Sequence, residues 1–335
     1  MNRLGPPQYI EAMNADIAAN YKRDRALDSF RGLAVFTMVI ANSLADKAIV
    51  PAYLKHAPDI GLTVIDLIAP LFIVAMAVPF RDSYERKLRR DGRTAAAWET
   101  AGRYLALIGI GAILSAGQSF ALPAGGMIDW GVLQALGVAG LGLLCAVGLP
   151  PITRLAIGGA LLAAYQLLMP STAHLILSRT HGGMIGAVSW ASMILVGEAV
   201  VDIARRRFRG FLLSAGALIG IVGILLSSVA PISKNRVSAS YILISLGISL
   251  FIMALYRLAF AARTGKPGPM EIWGRRPLAL YLAHQMALAF FVLPDSSWWH
   301  EASPAWLVAA QLAVLLAGLT ALAYAMDRKS IRFRL

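Results

Sequence analysis

Long apolar runs, separated by short polar, basic or Pro/Gly-rich breaks, occupy most of the chain between residues 27 and 326. They fall at 27–45, 62–80, 99–118, 126–148, 152–169, 184–203, 210–229, 239–261, 277–293 and 304–326. Each is close to the roughly 20 residues that carry an α-helix across a ~30 Å hydrocarbon core. The pattern predicts an all-α polytopic membrane protein of about ten transmembrane helices. A polar segment, 1–26, precedes this membrane domain, 27–326, and a basic tail, 327–335, follows it.

Composition removes the main alternative. Of the 335 residues, 58% are hydrophobic and only 15% charged, whereas soluble domains carry about 25% charged residues. A string of soluble domains is therefore excluded. The net charge of +13 does not signal nucleic acid, because the basic residues sit in short clusters between apolar runs rather than on a folded basic domain. They read as topology signals, since connections retained in the cytoplasm accumulate Lys and Arg. One set of segments (the N-terminus, 81–93, Arg154, 205–209, 263–276 and the tail) holds 23 of them, and the other holds only Lys47, Lys55, Arg179, Lys234 and Arg236. Both termini are then expected in the cytoplasm, with the 46–61 connection facing outward. The first 26 residues contain Glu11, Asp16, Lys22, Arg23 and Arg25 without an apolar core, so the first run itself is expected to direct insertion.

Other classes lose support for simple reasons. Cys145 is the single cysteine, which excludes an internal disulfide and a Cys-rich zinc site, and no His/Cys/carboxylate cluster has ligand spacing. No metal is expected. No internal repeat supports a transporter built from inverted halves. Gly216-x-x-x-Gly220 and the Gly137, Gly140, Gly142 series offer small-residue faces for close helix contacts, within one chain or across a homodimer.

Polar groups at membrane depth each need an explanation, because an unpaired ionisable residue there costs about 2.5–3.5 kcal/mol on insertion scales. The ionisable ones are Asp28, Arg31, Asp66, Asp129, Glu198 and His284, and the uncharged ones Asn42, Gln118, Gln134, Gln166 and Gln285. Asp28 and Arg31 stand three apart and are expected to pair locally. Glu198 and Asp202, four apart, precede Arg205-Arg206-Arg207 and read as solvated or arginine-paired. His174, His181 and His300 are expected at the surface. The most informative segment is Lys55-His56-Ala57-Pro58-Asp59-Ile60-Gly61-Leu62-Thr63-Val64-Ile65-Asp66-Leu67. On one continuous helix His56 and Asp66 would stand about 15 Å apart. Pro58 and Gly61 interrupt the segment, so His56 is able to fold back onto Asp66. A carboxylate on one imidazole nitrogen would fix the tautomer and leave the other as a base near neutral pH.

At these residues the sequence resembles the heparan-α-glucosaminide N-acetyltransferase family and its bacterial relatives. The opening Arg25-Ala-Leu-Asp28-Ser-Phe30-Arg31-Gly32 is similar to the family's start. Lys55-His56-Ala57, with Gly61-Leu62-Thr63-Val64-x-Asp66-Leu67-x-x-Pro70-x-Phe72, is similar to its active-site stretch. Further matches occur in order at Gly131-Val132-Leu133-Gln134, Gly183, Gly197-Glu198, Pro231-Ile232-Ser233-Lys234, Ser240-Tyr241 and Pro277-Leu278-x-x-Tyr281-Leu282-x-His284. The chain departs from the pattern at Ala135 (usually Arg), Val237 (Trp), Asp59 (an aromatic), Arg276 (often Asn) and His181-Gly182 (an acidic stretch).

The resemblance implies a transmembrane acyltransferase that moves an acetyl group from cytoplasmic acetyl-CoA to an extracytoplasmic acceptor of the sugar or amino-sugar class, in a bacterial inner membrane. It makes His56 the catalytic residue, oriented by Asp66, with Asn42 a donor to the thioester oxygen. Lys234 is then a second such donor or, with Gln134, a candidate for the acceptor. Coenzyme A carries phosphates that need cations, for which Arg275 and Arg276 are candidates, with His284 either beside the same channel or a satisfied core histidine. Two alternatives stand beside this reading: a secondary transporter of a small sugar or anion, and a catalytically degenerate membrane subunit.

Overall fold

The computed structural model describes residues 23–121, 130–207, 210–291, 294 and 296–329, and among them it contains helices and no β-strand. The main helices are α1 (Arg25–Leu44), α2 (Ile68–Ala121), α3 (Val132–Ala146), α4 (Pro151–Leu177), α5 (Gly183–Ala204), α6 (Phe211–Leu226), α7 (Ala239–Phe260), α8 (Pro269–Gly274), α9 (Pro277–Phe291) and α10 (Ala305–Arg328). Short 3-10 turns cover Ala52–Leu54, Val64–Leu67 and Thr180–Gly182. Starts follow local chemistry. Asp24 accepts the Leu27 N–H at 2.9 Å to cap α1, Ser238 accepts from Tyr241 at 3.4 Å to cap α7, and Pro151 opens α4, where a missing N–H costs nothing. Among the described residues, five helical segments are long and apolar enough to cross a membrane: Val64–Gly117, Pro151–Leu177, Thr180–Ala204, Ala239–Phe260 and Ala305–Arg328. Three shorter apolar helices accompany them.

The structure redraws one connection. The basic stretch 81–93, read as a loop between two runs, is helical, and both runs belong to α2. The break comes at Gly92, whose φ of 80° is left-handed, a conformation glycine adopts without a Cβ penalty. Lys87 Nζ lies 3.1 Å from Glu99 Oε1, although twelve residues of continuous helix would span about 18 Å. The two arms of α2 therefore fold back on each other as a hairpin. A second addition is α8, a single-turn helix that hydropathy does not reveal.

Two packed groups share α1 and α2. In the first, α5 is buried along most of its length and packs against α2, α3 and α4, with Trp190, Leu143, Tyr241 and Leu246 at its centre. The small-residue faces are filled within the chain: a Cβ on Gly247 of α7 would meet Gly220 and Gly216 of α6 at under 3 Å, and one on Gly140 would meet the Tyr104 ring. In the second group, α1 packs against α8 and α9 through Val35, Trp273 and Leu280, with Leu315 and Leu319 of α10 behind them. Gly274 is essential there, because a Cβ would lie 1.6 Å from the Asp28 carbonyl oxygen. Arg25 grips buried Glu271 through two bonds of 3.0 and 2.9 Å, which holds α8 on α1.

Arg154 is not a loop charge. It sits in the first turn of α4, fully buried, and its guanidinium binds Glu198 and Asp202 of α5. Asp202 also accepts from Arg81 of α2 at 2.6 Å. The Glu198–Asp202 pair is thus arginine-paired, and the network ties α2, α4 and α5 together. Asp28 pairs with Arg23 more closely than with Arg31, whose Nη1 stands 3.7 Å away. Asp129 lies outside the described residues, as do most of segment 1–26 and of the tail.

Candidate functional site

Two connections meet beyond the C-terminal end of α1: residues 45–67, and residues 227–238 between α6 and α7. They are stitched by backbone and side chains. Gly61 N–H donates to Ile232 O at 2.8 Å, and Asn235 Nδ2 to Pro58 O at 2.6 Å. Arg236 forks onto Asp59 with contacts of 2.6 and 3.1 Å. The Arg236 guanidinium holds the Asp59 carboxyl below the usual carboxylate range, as a bidentate charged hydrogen bond does. Asp59, a departure from the resembled pattern, is therefore a clamp between the two connections.

Within this clamp the chain reverses as Pro58 and Gly61 suggest, and His56 Nδ1 comes 2.7 Å from Asp66 Oδ1. Asp66 is fully buried. Its Oδ2 accepts the Thr63 N–H at 2.9 Å, the Thr63 hydroxyl at 3.0 Å and the Ala57 N–H at 3.3 Å. A group surrounded by donors on both oxygens is an acceptor-only carboxylate, so the proton in the His56–Asp66 bond belongs to Nδ1. In the neutral imidazole Nε2 then carries the free lone pair, on a side chain that is 46% exposed. Tyr241 donates its hydroxyl to Asp66 O at 2.8 Å and secures the backbone.

Lys234 Nζ stands 3.7 Å from Asp66 Oδ1. Burial pushes its ammonium below the ordinary lysine range, and the Asp66 carboxylate opposes that shift. The turn that presents Lys234 is closed by Val237 N–H donating to Lys234 O at 3.1 Å. Val237 adopts φ 49°, which is rare for a β-branched residue. Its buried side chain fills the space left by Gly182 and Gly186. Val237 and these two glycines thus pack as a matched set.

His56, Asp66, Asn42 and Lys234 all line one cavity of about 380 Å³, together with Phe72, Tyr281 and Gln285. His181 lines it too, which corrects its reading as a surface residue: the left-handed backbone at His181 and Gly182 turns the imidazole inward, where its ring meets Trp190 edge-on at 6.3 Å. Its signal in the sequence was the His-Gly-Gly run, read only as a departure. His174 is exposed, as expected.

A larger cavity of about 590 Å³ lies toward the other end of α1. Arg23, Arg31, Lys87, Arg90, Arg103, Arg275 and Arg276 line it, against one acid, Glu99. Arg275 and Arg276 are thus brought to one site, where Asp327 binds both at 2.9 and 3.0 Å. Arg103 has no carboxylate partner among the described residues. Further cations come from α1 and the α2 hairpin: Arg31, expected only to pair with Asp28, Lys87 and Arg90, assigned to topology, and Arg103, to which sequence reading assigned no role. Phe72 is a wall residue of both cavities, so one aromatic ring stands where they adjoin.

Two further candidates are placed elsewhere. Gln134 is buried and accepts the Gly131 N–H at 3.0 Å, at the start of α3, outside the walls of either cavity. His284 is fully buried, and neither ring nitrogen has a hydrogen-bond partner among the described residues. It is not on either cavity wall, although its neighbours Tyr281 and Gln285 line the His56 cavity.

Comparison with known proteins gives the family. The chain is 32% identical over 149 residues to heparan-alpha-glucosaminide N-acetyltransferase of Mus musculus and 33% identical over 151 residues to that of Homo sapiens. Each match covers 41% of this chain and 22% of the relative, so the chain aligns with about a fifth of the length of these curated relatives. The model of the family described as "Heparan-alpha-glucosaminide N-acetyltransferase, catalytic" matches residues 23–214, more than half of the chain and including His56 and Asp66, and the chain belongs to that family.

Proposed function

We propose that this chain is a transmembrane acyltransferase that passes an acetyl group from acetyl-CoA to a sugar-type acceptor at the His56–Asp66 pair. The observation that carries the proposal is the pairing of two adjoining cavities of opposite chemistry. One presents an imidazole with its tautomer set by a buried carboxylate, and the other presents seven cationic side chains. Coenzyme A, with a pyrophosphate and a ribose phosphate, fits the second, where guanidinium groups match phosphate oxygens. Its thioester arm then reaches the His56 cavity past Phe72.

In this mechanism Nε2 of His56 either takes the proton of the acceptor's amine or hydroxyl as that group attacks the thioester carbonyl, or itself accepts the acetyl group. Asp66 stabilises the imidazolium that forms. The Asn42 amide and the Lys234 ammonium, on the same wall, supply donors for the developing oxyanion. In direct transfer the imidazolium returns its proton to the departing thiolate; in the covalent course the thiolate leaves first, the acceptor then takes the acetyl group from Nε2, and the acceptor's proton passes to the thiolate. The distribution of Lys and Arg supports a basic cavity on the cytoplasmic face and a His56 connection facing outward, in a bacterial inner membrane.

Release of free coenzyme A from acetyl-CoA by the purified protein, with and without glucosamine, tests the proposal. Acceptor-stimulated release in wild type, absent in His56→Ala, is the expected result. Turnover that survives the substitution removes His56 from the chemistry. Intact thioester with transported sugar would establish the transporter reading instead.

A further inference from the structure

The His56 cavity has a neighbour that the transfer chemistry does not use. Between α1, α9 and α10 lies a second chamber of about 250 Å³, and Asn42, Ala45 and Leu288 are wall residues of both. The two are adjoining compartments at the C-terminal end of α1. Their linings differ. Leu288, Val308, Leu312 and Leu315, from α9 and α10, give the second chamber an aliphatic side. Asp46, His300 and Gln311 give it a polar one. Lys47 Nζ and Gln311 Nε2 both donate to Trp299 O, at 3.0 and 3.1 Å. These bonds fix the Trp299 segment to α10 and to the turn that follows α1. Asp46 is half-exposed, with His300 Nδ1 3.7 Å away.

We propose that this chamber holds the aglycone of the acceptor: the substrate is a sugar carried on an apolar group, of the glycolipid class, with its sugar beside His56. The proposal rests on the acyltransferase reading and specifies its acceptor. A second sugar in this chamber would exchange hydration for four aliphatic side chains, which leaves hydroxyls unpaired. An alkyl segment gains about tenfold in affinity for every two methylenes buried.

The test uses the full chain in phosphatidylcholine nanodiscs, free of glycoside detergent, with acceptor-dependent coenzyme A release as readout. Acceptors are glucosamine, octyl β-glucosaminide and chitobiose. Wild type is compared with Leu312→Trp and the milder Leu312→Phe, which fill the chamber without touching the His56 wall. The expected result is a KM for the octyl glycoside at least tenfold below that for glucosamine. That advantage should shrink in Leu312→Phe and vanish in Leu312→Trp, while glucosamine kinetics stay unchanged and report intact folding. Equal KM values, a preference for chitobiose, or an octyl advantage that survives both substitutions would overturn the proposal. Calorimetric binding of octyl β-glucosaminide to His56→Ala decides the matter independently of turnover. Binding lost on adding Leu312→Trp supports the chamber even if the wild type consumes no thioester, a wild-type result that would refute only the acyltransferase reading. Absence of binding in His56→Ala refutes the chamber.

Discussion

Asp66→Asn tests the role of the His56 tautomer, because the donors around Asp66 dictate how an amide must sit; it also removes the counter-charge of Lys234, 3.7 Å away. Oδ2 accepts three hydrogen bonds, from Thr63 N, Thr63 Oγ1 and Ala57 N. Placing the amide NH₂ there would set donor against donor at all three, at about 1–3 kcal/mol for each buried group left unpaired. The amide oxygen therefore takes the Oδ2 position, and the NH₂ takes that of Oδ1, 2.7 Å from His56 Nδ1. His56 answers by accepting at Nδ1 and carrying its proton on Nε2. The hydrogen bond survives and the fold is kept, but the reacting nitrogen no longer has a lone pair. Loss of general-base or nucleophilic function is worth about 10²–10⁴ in rate, and the upper part of that range is expected because the imidazolium also loses its counter-charge. Coenzyme A release with a saturating acceptor gives kcat, and ¹⁵N-histidine NMR gives the tautomer. The reasoning is refuted if kcat stays within tenfold of wild type, or if kcat collapses while the proton remains on Nδ1.

Three further outcomes follow from other parts of the structure. Arg154→Met strands Glu198, leaving Asp202 with Arg81, so a loss of about 3–5 kcal/mol is expected, as for breaking one side of a buried ion pair; a thermal midpoint in detergent equal to wild type would contradict it. Asp59 has its folded pKa held below its ordinary 3.8 by Arg236, so its stabilisation is present above that value and disappears as pH falls through the lowered one. Thermal unfolding between pH 6 and 3 should show an acid-side decline that is smaller in Asp59→Asn, and an unchanged slope would remove the clamp from the explanation. Arg103→Ala removes a cavity cation that no described carboxylate occupies, so the KM for acetyl-CoA should rise about tenfold, the worth of one charged hydrogen bond, with the acceptor KM unaltered. A change in the acceptor KM alone would place Arg103 elsewhere in the cycle.

The helical, membrane-spanning class was legible because burial in a bilayer demands long uninterrupted apolar runs, which no other environment imposes. The His56–Asp66 pair was legible for a local reason: Pro58 and Gly61 break the intervening segment, and ten residues suffice to close the contact. Arginines were not separable in the same way. A cation that orients a connection, one that pairs inside the bundle and one that lines a cavity share a single sequence signature. Only packing put Arg154 between two carboxylates and gathered Arg23, Arg31, Arg103, Arg275 and Arg276 from three distant segments around one space. The same holds for His181, turned inward by left-handed backbone, and for Gln134, committed to the start of α3. The sequence by itself determined what could enter the membrane and which side chains were available for chemistry. The tertiary structure decided which of them meet, because contacts between residues tens to hundreds of positions apart depend on how whole helices pack.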